Sequence, residues 1–398
     1  MKLFAGFQQH LIATTLVAMA GLTCGCSQSV EHSTKQSNIK QTDQAAEEFT
    51  AVHNEVAQTP SKKETLPELK WTDFPFMQNG DSVVAVISPA TLAKSPSVSS
   101  LVSAIPLGEI SLTIPPAETD WVAVYSNPLV NADNSLSGDS TMVIKLNRPS
   151  STYEVAESRF TTGELSEAET GEYSYLQVSG VTQNRIEATT DADGNQSEVI
   201  NFDNAPVMAV YEYDESTFVV CEEARLPFVL NQQNLESDLR SLVENTTATS
   251  PIFFATSIKE RPVLREALAI QAADIQKDGL LQVLATSTEQ LVLTLDTDND
   301  QLLHMSVHTA EARQTVAIEK AIRDTVGSGT RLLDEMKLLK SPQTAPLFAM
   351  AKNILSGVAV TASDASLSLT IDNPGNLPEA FGTLQELFGM EVASTDVR

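Results

Sequence analysis

Residues 207–221, VMAVYEYDESTFVVC, contain the clearest secondary-structure signal in the chain. Two runs rich in β-branched and aromatic residues, 207–213 and 217–221, flank the polar triplet Asp214-Glu215-Ser216. Runs of this composition favour β-strands, and a short polar triplet between them is typical of a tight turn. The segment therefore predicts two antiparallel strands joined as a hairpin.

Similar runs extend upstream towards Trp71. Short apolar segments bounded by Pro, Asn, Asp, Ser or Gly lie at 82–88, 109–114, 121–125, 141–146, 172–178, 185–189 and 197–202. Their length and spacing indicate successive antiparallel strands, that is, a meander. After the first of them, Ser95 and Pro96 favour the start of a helix. Residues 71–232 are thus predicted to form a sheet-rich α+β domain.

Helical spacing dominates downstream of residue 232. The apolar periodicity predicts helices at 235–243, 262–275, 311–326, 330–339, 345–355 and 377–388, with Gly327-Ser328-Gly329 interpreted as a helix stop. Strands are predicted at 251–256, 290–296, 302–307, 358–361 and 366–371, the second and third forming a hairpin around residues 297–300. Residues 233–398 are therefore predicted to form a helix-rich α+β domain.

Runs of strands with interspersed helices predict the fold class. This pattern is typical of an α+β fold with antiparallel meander sheets and helices packed on one side, rather than of a doubly wound parallel sheet. Both regions contain a meander followed by helices, which favours two similar domains joined near residue 232. No sequence period supports a duplication, so this expectation rests on the order of the elements.

Composition excludes some functions. The 398 residues include 25 basic and 52 acidic side chains, which give a formal net charge of −27. Nucleic-acid binding needs clustered Lys and Arg to neutralise phosphates, so this chain is not expected to bind nucleic acid. The same charge disfavours electrostatic adhesion of the protein surface to anionic lipid.

The first 26 residues have the layout of an export signal. Lys2 precedes the apolar run 11–22, LIATTLVAMAGL, which is followed by Thr23-Cys24-Gly25-Cys26. The run is too short to span a bilayer, which needs about 20 apolar residues. The segment resembles a bacterial lipoprotein signal, in which small residues precede a cysteine that is lipidated and becomes the new N-terminus.

This resemblance implies a lipid anchor on Cys26, with Cys24 as the alternative attachment site. It implies contact with a membrane through acyl chains and, because Ser27 rather than Asp follows Cys26, delivery to the outer membrane if the host has one. The polar residues 26–70 are then expected to act as a flexible tether. The alternative is an ordinary signal peptide, residues 18–20 being an A-x-A cleavage site, and a soluble secreted protein.

Candidate chemistry in the body is sparse. His304 and His308 are four residues apart and would share one face of a strand, which makes them weak candidates for a metal site. Leu303, Met305 and Val307 alternate with them, so the favoured interpretation is the solvent face of an ordinary strand. Cys221 ends an apolar strand and is expected to be a small core residue. No motif nominates a catalytic residue or a cofactor.

The sequence therefore favours an exported, lipid-anchored envelope protein with a binding or scaffolding role. Its partner would be a protein or an envelope polymer, and the oligomeric state stays open. The alternative is a secreted hydrolase whose catalytic carboxylates cannot be identified from sequence. An enzyme should present a polar pocket, whereas a scaffold should offer a shallow apolar patch or an exposed sheet edge.

Overall fold

A computed structural model describes much of the chain beyond residue 75. The described residues are 76–78, 80–95, 114–130, 136–160, 163–180, 182–190, 196–204, 206–231, 238–244, 250–259, 261–275, 279–336, 344–380 and 383. The signal segment, the predicted tether, both N-terminal cysteines and the predicted helix after Ser95 lie outside them.

Fourteen strands are described. They are β1 Val83–Ile87, β2 Thr119–Val130, β3 Leu136–Leu146, β4 Glu164–Thr170, β5 Tyr173–Ser179, β6 Thr182–Thr190, β7 Gln196–Asn204, β8 Met208–Asp214, β9 Thr217–Glu222, β10 Ile252–Ser257, β11 Thr288–Leu295, β12 Gln301–Thr309, β13 Val358–Ser363 and β14 Ser366–Asp372. The hairpin predicted at 207–221 is confirmed, because β8 pairs with β9 in antiparallel register. The hairpin of β11 and β12 is confirmed in the same way.

The helices lie between these strands. They are α1 Pro89–Lys94, α2 Thr152–Arg159, α3 Leu226–Leu230, α4 Asp238–Glu244, α5 Pro262–Ile275, α6 Leu280–Ser287, α7 Ala312–Glu335 and α8 Ala345–Ser356. Short 3-10 turns precede β2 and α3 at Pro116–Glu118 and Glu223–Arg225. Helix α1 follows β1 directly and begins at Pro89, which suits a first helical turn.

Helix α7 corrects the predicted stop at Gly327-Ser328-Gly329, because it runs unbroken through all three residues. Glycine inside a helix costs about 1 kcal/mol relative to alanine, which packing of an amphipathic face outweighs. Ile318 and Ile322 supply that packing, since both are buried against the sheet.

Twelve strands form one antiparallel sheet in the order β13-β14-β12-β11-β10-β1-β2-β3-β9-β8-β5-β4, while β6 and β7 pair separately. The α+β fold is therefore as predicted. The sheet crosses the predicted domain boundary, because β1 pairs with β10, Ala85 lying opposite Phe254. The division into two domains stays a prediction.

The two halves of the sheet repeat one topology outward from this central pair. The first half has the strand order β1-β2-β3-β9-β8 and the second β10-β11-β12-β14-β13. In both halves helices follow the first and third strands, and the last two strands form a hairpin. The first half differs by an insertion, β4 to β7, between α2 and β8.

The sheet has two faces, which we name by residues of β1. The upper face carries Val84 and Val86, and the lower face carries Val83 and Ala85. On the upper face, side chains of α3 and α4 cover the first-half strands together with β10 and β11. On the lower face, α2 covers the first half, and α6, α7 and α8 cover the second. Helices thus lie on both faces of the first half.

Candidate functional site

The upper face changes character beyond β11. Register places side chains of β12, β14 and β13 on this face, and nearly all are small hydroxyl or imidazole groups. We call this surface the hydroxyl face, defined as His304, Ser306, His308, Ser366, Ser368, Thr370, Ala359, Thr361 and Ser363. All of these residues are half-buried or exposed.

Strict alternation produces the hydroxyl face. Successive side chains of a strand point to opposite sides of a sheet. In β14, Leu367, Leu369 and Ile371 are buried on the lower face, where they pack against α7 and α8. The residues between them must then point upward, where the described chain places no helix over β12, β13 or β14. The result is a flat, polar sheet surface rather than a cleft.

The structure places His304 and His308 where the sequence predicts them, on the side of β12 opposite Met305. His304 lies across from Thr294 and Thr370, and His308 lies across from Gln290 and Ser366. None of these four neighbours is a usual metal ligand. Among the described residues, no group of three or more His, Cys, Asp or Glu side chains is placed to hold a metal ion.

Strand β13 forms one end of the sheet, next to the hydroxyl face. Its inner side pairs with β14 along all six residues, whereas its outer side pairs with no strand in the described chain. The sequence VAVTAS contains no charge and no proline, which are the usual devices that protect a sheet edge. This edge therefore presents backbone N–H and C=O groups that can accept a further strand.

Strand β4 forms the other end of the sheet and differs in charge. Its sequence, ELSEAET, places exposed carboxylates at Glu164, Glu167 and Glu169. Like charges placed directly opposite each other destabilise strand pairing. The glutamates thus protect the β4 edge, whereas β13 itself carries no such charge.

A buried ion pair lies in the first half of the sheet. One partner precedes β1 and the other follows β9. Arg225 Nη2 donates to Asp81 Oδ1 at 2.8 Å, and Asp139 Oδ2 lies 3.7 Å from Arg225 Nη1. The Gln78 backbone N–H donates to the second Asp81 oxygen at 2.7 Å. The Asp81 side chain is fully buried, and burial raises the pKa of its carboxyl against the opposing effect of Arg225.

Arg261 closes the same region from the second half of the chain. It donates to Asn127 Oδ1 at 2.6 Å and to the carbonyl oxygen of Gly80. With the Asp81–Arg225 pair, these contacts fix the entry to β1 and leave the pair closed to solvent. We interpret this network as structural.

Cys221 is fully buried on the upper face of the first half, as expected for a core residue. Burial raises the pKa of its thiol to about 12. A nucleophilic cysteine needs a lowered pKa and access, so this thiol is inert at neutral pH.

An apolar cavity of about 50 Å³ lies beneath the second half of the sheet. Leu284 of α6, Ile322 and Val326 of α7, and Ile354 of α8 face Met305 across it, and Thr325 is its one polar lining residue. The Thr325 hydroxyl donates its hydrogen bond to the Ala321 carbonyl oxygen, so its proton is not available to a ligand. The cavity is a packing void rather than a polar pocket.

No helix within the described ranges combines the length and hydrophobicity needed to span a membrane.

Sequence reasoning nominated His304 and His308 but missed the rest of this surface. The alternation of Ser366, Ser368 and Thr370 with three apolar residues was a visible signal of a half-exposed strand. The open edge of β13 had no such signal, because neighbours in a sheet are chosen by long-range pairing.

Comparisons with known proteins add little. No protein-family model matches the chain, and no curated protein matches it. One solved structure, titled "Structure of crystal form I of TP0453", aligns with a TM-score of 0.37 and 12% identity over 78% of this chain and 96% of that chain. The TM-score and the sequence identity are both too low to support an inference about this protein.

Proposed function

We propose that this chain is an exported protein of a bacterial cell envelope, held at the membrane by lipid on Cys26, that binds or scaffolds another macromolecule. The observation that carries the binding role is the uncharged outer edge of β13 beside the hydroxyl face, which pairs with no strand among the described residues. Addition of a strand to an open sheet edge is a common mode of protein recognition, because backbone hydrogen bonds supply affinity without a deep pocket.

The N-terminal sequence supports the anchoring role. Lys2, the apolar run 11–22 and the closely spaced Cys24 and Cys26 resemble a lipoprotein-type signal, although Leu22 stands one place further from Cys26 than is usual in such signals. More than one acyl chain is needed for durable anchoring, and each buried CH₂ contributes about 0.8 kcal/mol. The polar segment 26–70 would hold the folded body away from head groups that repel its net charge.

Intact mass spectrometry of protein from a bacterial membrane fraction tests the anchor. We expect a lipid-sized mass excess in the wild type, loss of that excess in Cys26→Ala, and its retention in the matched control Cys24→Ala. Loss in Cys24→Ala alone would move the anchor to Cys24. An unmodified chain that starts at Gly21 would overturn the lipid anchor.

Hydrogen exchange tests the binding role. Amides of β13 should exchange more slowly in the envelope fraction than in highly diluted purified protein, because a bound strand would protect them. Amides of β4 provide the internal control, since we expect no change at that acidic edge. Equal exchange of β13 in both preparations would contradict binding at this edge.

A further inference from the structure

We infer that the outer edge of β13 pairs in antiparallel fashion with β13 of a second copy of this chain. The inference rests on the proposed function, because it names the partner of the same sheet edge. Three observations carry it: the repeated topology of the two halves, the distribution of charge between the two sheet ends, and the side chains of β13 itself.

The repeated topology shows what occupies the corresponding edge elsewhere in the molecule. Strand β8 is the first-half counterpart of β13, because each is the outer strand of the repeated five. The outer edge of β8 pairs with β5 in antiparallel register, Leu176 lying opposite Val210. In the second half, the described chain supplies no counterpart of β5. The position that β5 fills in the first half is therefore filled by no strand of the described chain in the second.

Of the two ends of the described sheet, the β13 end is the one where the charge of the edge strand does not oppose self-association. With a net charge of −27, two copies repel each other wherever their acidic surfaces meet. The strand at the β4 end would bring glutamates against glutamates. The six residues of β13 carry no charge, so two β13 strands can approach without opposed carboxylates.

The side chains of β13 are compatible with a two-fold pairing. An antiparallel pairing centred on Val360 places Ala359 opposite Thr361 of the second copy. Val358 and Val360 are half-buried against the lower-face core, and Ala359 and Thr361 are exposed on the hydroxyl face. The pairing would extend the apolar lower layer and join two hydroxyl faces into one. Such an interface is isologous and closes as a dimer.

Native mass spectrometry of the full chain, extracted from membranes in mild detergent, tests the inference. We expect the wild type to have the mass of two chains and Ala359→Lys/Thr361→Lys to have the mass of one. Both substitutions are at exposed positions, so the fold should persist, which circular dichroism checks. If the double variant does not fold, the single variant Thr361→Lys replaces it.

The matched control is Ser166→Lys on β4, which adds a lysine to the opposite end of the sheet and should remain dimeric. Added lysines lower the net negative charge, so loss of the dimer cannot come from greater overall repulsion. A monomeric wild type would overturn the inference, whether β13 is bound by another segment of the chain or by nothing. A dimer that persists in the β13 variants would also overturn it.

The same spectra separate this inference from the proposed function. A lipid-modified monomer would leave the anchor standing and remove only the dimer. An unmodified dimer would do the reverse.

Discussion

The two halves of the sheet share a topology but not an environment. On the upper face, β3 and β9 pair Val143 with Val219, whereas the corresponding strands β12 and β14 pair Ser306 with Ser368. Val143 and Val219 are fully buried in the core cluster covered by α3 and α4. Ser306 and Ser368 are only half-buried on the hydroxyl face.

One arrangement of strands is therefore found in two different environments. The first half is enclosed on both faces, and its insertion pairs with the outer edge of β8. In the second half, helices cover the upper face of β10 and β11, whereas the described chain packs β12, β13 and β14 on their lower face only. This half ends at the uncharged β13. The first half is thus enclosed, whereas the described residues leave one face and one edge of the second half uncovered.

Removal of the buried arginine of the first half should lower the free energy of unfolding more than any other change proposed here. Arg225→Met leaves the fully buried Asp81 carboxylate without its partner, which should cost about 3–5 kcal/mol in the free energy of unfolding, measured by urea denaturation. The matched second-half substitution is Arg323→Met, which breaks an exposed pair with Glu319 on α7 and should cost less than about 0.5 kcal/mol.

A double variant distinguishes a lost ion pair from a damaged fold. Arg225→Met/Asp81→Leu removes both charges, so it should recover much of the stability that Arg225→Met loses. Equal losses in the free energy of unfolding for Arg225→Met and Arg323→Met would contradict the prediction that the buried ion pair of the first half contributes more to stability than the exposed pair of the second.

The next effect concerns the equivalent strands β9 and β14. Val219→Ser places a hydroxyl in the covered upper face and leaves a void, which should cost about 2–4 kcal/mol. The reverse exchange, Ser368→Val, lies on the hydroxyl face and should change the free energy of unfolding by no more than about 0.5 kcal/mol. If Ser368→Val were as damaging as Val219→Ser, the second-half upper face would have to be covered.

A smaller effect is expected at the second-half cavity. Val326→Ile adds one methylene towards the void and should stabilise the protein by about 0.8 kcal/mol. The control on the same helix is Val316→Ile, which is 61% exposed and should have no measurable effect. Thermal and urea unfolding measure both. A loss of stability in Val326→Ile would indicate that the cavity cannot accept the added group.

Much of the local structure follows from the sequence, because it depends on neighbours in the chain. The alternation of apolar and polar residues in β12 predicted that His304 lies on the less buried side of the strand. Asp214-Glu215-Ser216 likewise marked the turn between β8 and β9. Strand pairing depends on distant residues, so the meeting of β1 with β10 and the open edge of β13 had no local signal. The continuous helix α7 was missed because tertiary packing overrides glycine propensity.

The faces of the first-half strands could not be assigned from sequence, for a different reason. In β9, Phe218, Val219, Val220 and Cys221 are all buried, since core lies on both sides of the strand. A strand covered on both faces has no alternation. Strands β12 and β14 alternate because no described helix covers their upper face, so this surface was the easier of the two to predict.

The smallest effect is expected at the histidines of the hydroxyl face. His304→Ala/His308→Ala should leave the free energy of unfolding and the metal content unchanged, because the strands beside them contribute Thr294, Thr370 and Ser366 rather than further ligands. Elemental analysis, together with unfolding in the presence and absence of zinc, measures both quantities. A ligand that binds only the native state raises its stability, so zinc-dependent stabilisation lost in the double variant would contradict this prediction. In that case the hydroxyl face would hold a metal ion, whereas the enclosed first half carries the buried Val143 on β3, the strand that corresponds to β12.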